Sequence, residues 1–487
     1  MSLPPNLHFQ QHVHPLLADT LRRVARRYRL PAIPDTPATP DSPQPADPAT
    51  TLAITIEYTR MSLARGIAAG AAQQHRFTQA LADLIQEAQR PTGGDAAFQA
   101  ILLRHHAPQV QEYASLSAHI DQDRRTIHAI VNAIAHPAKL QRRQADAQRD
   151  QLARLHDLKN AADWPALADT ARQLVNDGVL DDTHVAQGLA RLLASDELDR
   201  LRRLAALGSD TDVRRYQALL DRQAPRSGTD AAIAQGSAAQ LRGACVESKT
   251  AQVLGALAEV LNETLPAEPG ESTAAQAPHR VVTSMRVPAT IPGNTDRAKS
   301  EWDAVLLRQA APVDGKPCWD VCLLVEVKAS IDAATTDFSR LLRGLQLLAS
   351  ADGDTVYTFA TRQGEVRLRG VSLAALPTEV SDLPGTVLYC SDAPADAKPR
   401  LLSAASRMQL LASDTSLDYA GKLASGQTPD PRDLVPVWHA LLDSPRWQAV
   451  LDQYQALYKV RSLMVHLDDL SAAIDEARRW RLSRDEG

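Results

Sequence analysis

Residues 300–330 read SEWDAVLLRQAAPVDGKPCWDVCLLVEVKAS. Two short apolar runs, SEWDAVLLR and WDVCLLVEVK, flank QAAPVDGKPC, a segment with proline and Asp-Gly turn chemistry. Runs of this length and composition are expected to be strands, and a turn between them lets them pair as an antiparallel hairpin. Side chains alternate along a strand. Asp303, Val305 and Leu307 are therefore expected on one face of the first strand, and Leu324, Glu326 and Lys328 on one face of the second. Antiparallel pairing brings the start of the first strand to the end of its partner. In a register that places the two sets on the same face, two carboxylates and one ammonium converge at one sheet edge.

That convergence is costly as mere structure. VCLLVEVKA is a nearly continuous apolar run, the pattern of a strand buried on both faces. Burying a carboxylate and a lysine there costs several kcal/mol unless they are paired or bind an ion. A divalent cation shared by Asp303 and Glu326 relieves their repulsion, and all-oxygen donors suit Mg²⁺ or Mn²⁺. A cation there polarises a phosphodiester and acidifies water. Lys328 is placed to orient that water or to stabilise charge building on the phosphate.

Outward from the hairpin, residues 241–262 (LRGACVESKTAQVLGALAEVLN) are expected to form an amphipathic helix with Val246, Val253, Leu254, Leu257 and Leu261 in one stripe. RVVTSMRV precedes the hairpin as a further strand. A helix, TTDFSRLLRGLQLLAS, follows it, and then come TVYTFAT, EVRLRGVSL and TVLYCS as strands. Helix, three strands, helix and more strands make an α/β core with a mixed central sheet. The whole chain is then multidomain α + α/β: an N-terminal helical segment at 1–30, a proline-rich linker at 31–51, a helical domain at 52–227, the α/β domain at 228–396 and a helical C-terminal region at 397–487. Within the helical domain, the charged stretch from Leu140 to Leu155 shows no clear apolar face and is expected to be a solvated helix or arm.

Asp303, 22 intervening residues and then Glu326-Val327-Lys328, on two adjacent strands framed by helices, resembles the PD-(D/E)XK nuclease superfamily over roughly residues 241–391. The resemblance implies a restriction-endonuclease-like core and metal-dependent hydrolysis of DNA, with Asp303 and Glu326 as metal ligands and Lys328 as the catalytic lysine. It implies that Val327 offers its backbone carbonyl to the metal. It further implies that Glu247, on the preceding helix, completes the site. Glu301, two before Asp303, and Arg340, Arg343 and Gln346, on the following helix, are candidates to support the site or contact nucleic acid. The proline that often precedes the aspartate in that superfamily is absent; Trp302 stands there.

Composition neither carries nor opposes that reading. A net charge of −5 on 487 residues excludes a polybasic nucleic-acid coat, although a nuclease needs only a local basic track and a metal. Cys318 and Cys322 lack a second pair to complete a zinc set, and Cys322 reads as a small core residue. His105, His106, His128, His136, His156, His439 and His466 form no metal-spaced set with acidic neighbours in sequence. No signal peptide and no membrane-length apolar run is seen, so a cytoplasmic protein without a membrane partner is expected. DNA is the expected partner ahead of RNA, with a protein partner or a second copy of the chain meeting the helical regions. The alternative from another class is a helical interaction or scaffold protein built on a catalytically inactive nuclease-like fold.

Overall fold

The structure, a computed structural model, describes residues 14–33, 47–141, 147–177, 183–223, 230–263 and 278–485. Most of the expected linker, and residues 264–277 between the expected helix and RVVTSMRV, lie outside the described residues. Two compact units emerge. One gathers the described residues of Met1–Leu81, Asp230–Leu410 and Val435–Gly487; the other gathers those of Ala82–Thr229 and Leu411–Leu434.

The first unit is a sheet between helical layers. Its elements are α1 (Pro15–Arg23), α2 (Asp230–Asn262), β1 (His279–Arg286), β2 (Glu301–Val313), β3 (Lys316–Val327), α3 (Ile331–Ala349), β4 (Val356–Thr361), β5 (Gly364–Arg369), β6 (Val387–Ser391), α4 (Gln453–Leu463), β7 (Met464–His466) and α5 (Leu467–Asp485), joined by further helices such as Pro48–Ala64. The strands β1, β2 and β3 pair antiparallel in succession, and β6 and then β7 add parallel to β3. The β4–β5 hairpin touches β1 through Arg286 and Ala360, and β3 through Trp319 and Leu368.

QAAPVDGKPC is less of a loop than its sequence suggests. Both strands run on until Val313 pairs with Lys316, and Asp314-Gly315 alone turns the chain, with φ of 53° and 67°. Both central residues of this tight hairpin turn need positive φ, which Asp tolerates and Gly adopts freely. A Cβ on Gly315 would meet nothing within 4 Å. Gly315→Ala is therefore expected to cost only backbone strain, about 1 kcal/mol. Thermal melting should show a fall of roughly 2–4 °C, and an unchanged melt would mean the turn does not hold this geometry.

The two faces of the sheet carry different cores. Val305, Leu307, Leu324 and Tyr389 pack with Phe338, Leu341, Leu345 and Leu348 of α3. Ala304, Leu306, Leu323, Val325, Leu388 and Val465 pack with Leu17 and Leu21 of α1, with Val246, Leu254, Leu257 and Leu261 of α2, and with Leu470 and Ile474 of α5. The expected stripe of α2 is thus the buried one, and the helix starts earlier than expected, at Asp230.

Two expectations change. The C-terminal region is not a separate helical appendage, because Met464–His466 forms the edge strand β7 and α5 covers the sheet. The start of the expected 52–227 helical domain also joins the sheet unit. There, Gln455 of α4 donates to Glu57 of Pro48–Ala64 at 2.7 Å, and Phe77 packs on Trp438 with ring centroids 5.2 Å apart.

The second unit is helical throughout its described residues. One core collects Ile127, Val131, Leu155, Leu167, Leu189 and Leu201; another collects Val110, Val213, Tyr216 and Leu219. The Leu140–Leu155 stretch is not a solvated arm. Residues 142–146 lie outside the described residues, but Leu140, Leu152 and Leu155 are buried in the first of these cores. No helix among the described residues is long and apolar enough to cross a membrane.

Candidate active site

Register decides whether the hairpin builds a site. Val305 pairs with Leu324 and Ala304 with Val325, so the next step of the same register sets Asp303 opposite Glu326. The faces follow a shift in that register. Leu306 pairs with Leu323 but Leu307 with Val321, which leaves Cys322 as an extra residue in β3. Such a bulge reverses the alternation beyond it. Trp319 and Val321 before it, and Leu324 after it, therefore all face the α3 core. Glu326 and Lys328 continue that series.

At Asp303 the backbone ladder of β2 and β3 gives way to a side chain. Asp303 Oδ2 accepts the Val327 amide at 2.8 Å. Opposite Asp303 on β1, Ser284 adopts a left-handed φ of 51°. In an extended strand the N–H and C=O of one residue point the same way. The Val327 carbonyl is thus directed toward the side on which Asp303 sits.

Glu326 is 0% exposed. Lys299 Nζ lies 2.6 Å from its Oε2, and Lys328 Nζ 3.4 Å from the same oxygen. Both are ion-pair contacts, and Oε1 meets no hydrogen-bond donor among the described residues. Burial, reinforced by the charge of Asp303, pushes the Glu326 carboxyl up to about 8, although the two lysines pull it back. Burial alone would lower Lys328, but Glu326 and Asp337 together more than reverse it, so its ammonium is held above the usual lysine range. Asp337 of α3 is 3.2 Å from Lys328 Nζ and accepts from the Tyr389 hydroxyl at 3.4 Å. A chain of contacts thus runs Lys299–Glu326–Lys328–Asp337–Tyr389.

Glu247 of α2 belongs electrostatically to the same place. Burial raises its carboxyl, Asp303 and Glu301 raise it further, and Arg362 opposes them. Glu301 itself pairs with Arg286 at 3.2 Å. The α3 candidates are arranged differently from expectation. Arg340 and Gln346 are exposed, Arg343 donates to the Arg297 carbonyl at 3.1 Å, and Asp337 is the α3 residue that touches Lys328.

Sequence reasoning missed Lys299 and Asp337. Lys299 precedes β2 and is 5% exposed, with its ammonium 5.8 Å from the centroid of the buried Trp302 ring. The visible signal was Gly344 in the middle of α3, whose missing Cβ makes room for Lys299: a Cβ there would come within 2.6 Å of the lysine's Cβ. Removing one partner of a buried pair typically costs about 3–5 kcal/mol. Lys299→Met is expected at about 3 kcal/mol, since Lys328 still faces the carboxylate. Adding Glu326→Gln should restore much of that loss. Chemical denaturation of the two single variants and the double variant checks the coupling; additive losses would mean the pair contributes nothing.

Comparison of the chain with family models, with curated proteins and with solved structures finds no match in any of the three. The site is therefore read from its own geometry.

Donor chemistry provides a test of fit for a cation. Asp303, Glu326, Glu247 and the Val327 carbonyl are hard oxygen donors, the set that Mg²⁺ or Mn²⁺ takes. The buried Glu326 Oε1 has no donor of its own, and the mutual repulsion of Glu247 and Asp303 is what a cation offsets. By donor type these residues suit such an ion; among the described residues, however, the group of three His, Cys, Asp or Glu donors that lie within 4.8 Å of one another is His105, His106 and Asp418.

Proposed function

We propose that this chain is a Mg²⁺- or Mn²⁺-dependent nuclease that hydrolyses DNA phosphodiester bonds on a restriction-endonuclease-like core. The observation that carries the proposal is the Val327 amide on Asp303 Oδ2 at 2.8 Å, just beyond the Ala304–Val325 pair, which brings Asp303 beside Glu326 with Lys328 two residues on. Asp303, Glu326 and the Val327 carbonyl would hold the ion, and Glu247 would complete the donor set. The bound ion supplies Lewis-acid polarisation of the phosphate and makes water acidic enough to attack near neutral pH. Lys328, held as a cation by Glu326 and Asp337, stabilises charge growing on the phosphate and orients the attacking water. Lys299 holds Glu326 through Oε2, at 2.6 Å.

One observation favours a second reading. The Lys299 ammonium already sits 2.6 Å from a fully buried Glu326, as it would in an inactive scaffold that retained the fold. Incubating plasmid and linear DNA with purified protein and Mg²⁺ or Mn²⁺, with and without EDTA, tests the first reading. EDTA-sensitive cleavage supports it. A protein that neither cuts DNA nor binds Mn²⁺ in a calorimetric titration is the scaffold.

A further inference from the structure

Sequence spacing gives the histidines no metal pattern, and the fold corrects that. In the helical unit, Ala96–His106 ends on two consecutive histidines that lie against the helix Asp414–Ala424. His105, His106 and Asp418 each place one donor atom within 4.8 Å of the others. We propose that these three side chains bind a borderline divalent transition-metal ion of the Zn²⁺ class, at a site separate from the proposed nuclease centre and independent of that reading.

Two imidazoles and a carboxylate form the donor set of Zn²⁺, Co²⁺ or Ni²⁺; Mg²⁺ prefers oxygen alone. His105 Nε2 is 3.2 Å from Asp418 Oδ1, a contact that a shared ion replaces. His106 Nε2 lies 3.0 Å from the Leu417 carbonyl. A carbonyl only accepts, so Nε2 carries the proton of the neutral ring and Nδ1 its lone pair. A ring nitrogen tied to a backbone carbonyl is also how metal-binding histidines are commonly held in orientation. Gly421 lets this ring sit close, since a Cβ there would come within 2.4 Å of Nε2.

The surroundings favour a cation with a vacant position. Both histidines lie in the last turn of their helix, where unpaired carbonyls attract positive charge. Three protein donors leave tetrahedral zinc one open position. His106 and Asp418 line an open cleft of about 1010 Å³ that also carries Arg215 and Lys422. A small anion entering that cleft would meet the metal and a guanidinium together.

The test is calorimetric titration of chelator-treated full-length protein with Zn²⁺, supported by Co²⁺ absorption spectra. One equivalent is expected to bind, with His105→Ala and Asp418→Asn each weakening it by about 100-fold, since even partners outside the donor set are worth 10–100-fold. Asp303→Ala should leave it unchanged. The substituted side chains are exposed, so melting temperatures should not move. If no equivalent binds, or if binding persists in both variants and the ion therefore sits elsewhere among the 14 histidines, the proposal is overturned.

Discussion

Alanine at Lys328 is expected to slow metal-dependent DNA cleavage by about 10²–10³-fold, the usual worth of a group aimed at developing charge, with Mn²⁺ affinity, compared at pH 9 where Glu326 is largely ionised, within about threefold of wild type. Lys328 is not in the proposed donor set, and Glu326 keeps Lys299 at 2.6 Å when Lys328 is gone. The fold and the ion site should therefore survive the change. Asp303→Ala should behave differently: it removes a donor and the acceptor of the Val327 amide, so binding and cleavage should fall together. Single-turnover cleavage and Mn²⁺ calorimetry on the same samples separate the two patterns. Equal loss of binding in both variants would mean that Lys328 only supports the fold. Full activity in Asp303→Ala would place any cleavage at another site.

The hairpin was legible because local rules agreed there. Short apolar, β-branched runs and the Asp-Gly turn chemistry between them all pointed to two antiparallel strands, and the structure has them. The Cys322 bulge was not legible, since one extra residue in an apolar run leaves no trace in composition. It is nonetheless what lets Trp319, Val321 and Leu324 share the α3 face. β7 was hidden for a related reason. Met464–His466 is a three-residue run between helical patterns, and it becomes a strand only because β6 offers it an edge. Lys299 and Asp337 entered the site through tertiary packing. A polar residue before a strand and an aspartate on a helix look like surface until Gly344 and Tyr389 place them. His105 and Asp418 are 313 residues apart, beyond any spacing rule. Near-neighbour pattern thus yielded the hairpin and the nearness of Asp303, Glu326 and Lys328 at its open end, while the partners that set their charge came from the fold.

Those partners govern the second large effect, the pH dependence of metal binding. The Glu326 carboxyl is pushed up to about 8 by burial and by Asp303, so at neutral pH it still tends to hold its proton. An ion bound through this carboxylate must displace that proton, and apparent affinity then rises about tenfold per pH unit until the group is ionised. Mn²⁺ affinity should increase about 50-fold from pH 6 to pH 8 and level off near pH 9. An ordinary carboxylate would give a flat profile over the same range. Stability runs the other way. The folded state holds the proton more tightly than the unfolded chain, so this group's contribution to stability falls as pH rises from the ordinary carboxylate range toward 8. Lys299→Met removes the nearer of the two ammoniums that restrain the shift, and should move the rise in affinity to still higher pH. Calorimetric titrations with Mn²⁺ at pH 6, 7, 8 and 9 on both proteins decide the matter. A flat wild-type profile would mean that Glu326 is already ionised, or that the ion binds without it. A rise that does not move in Lys299→Met would mean that Lys299 does not set the charge of Glu326.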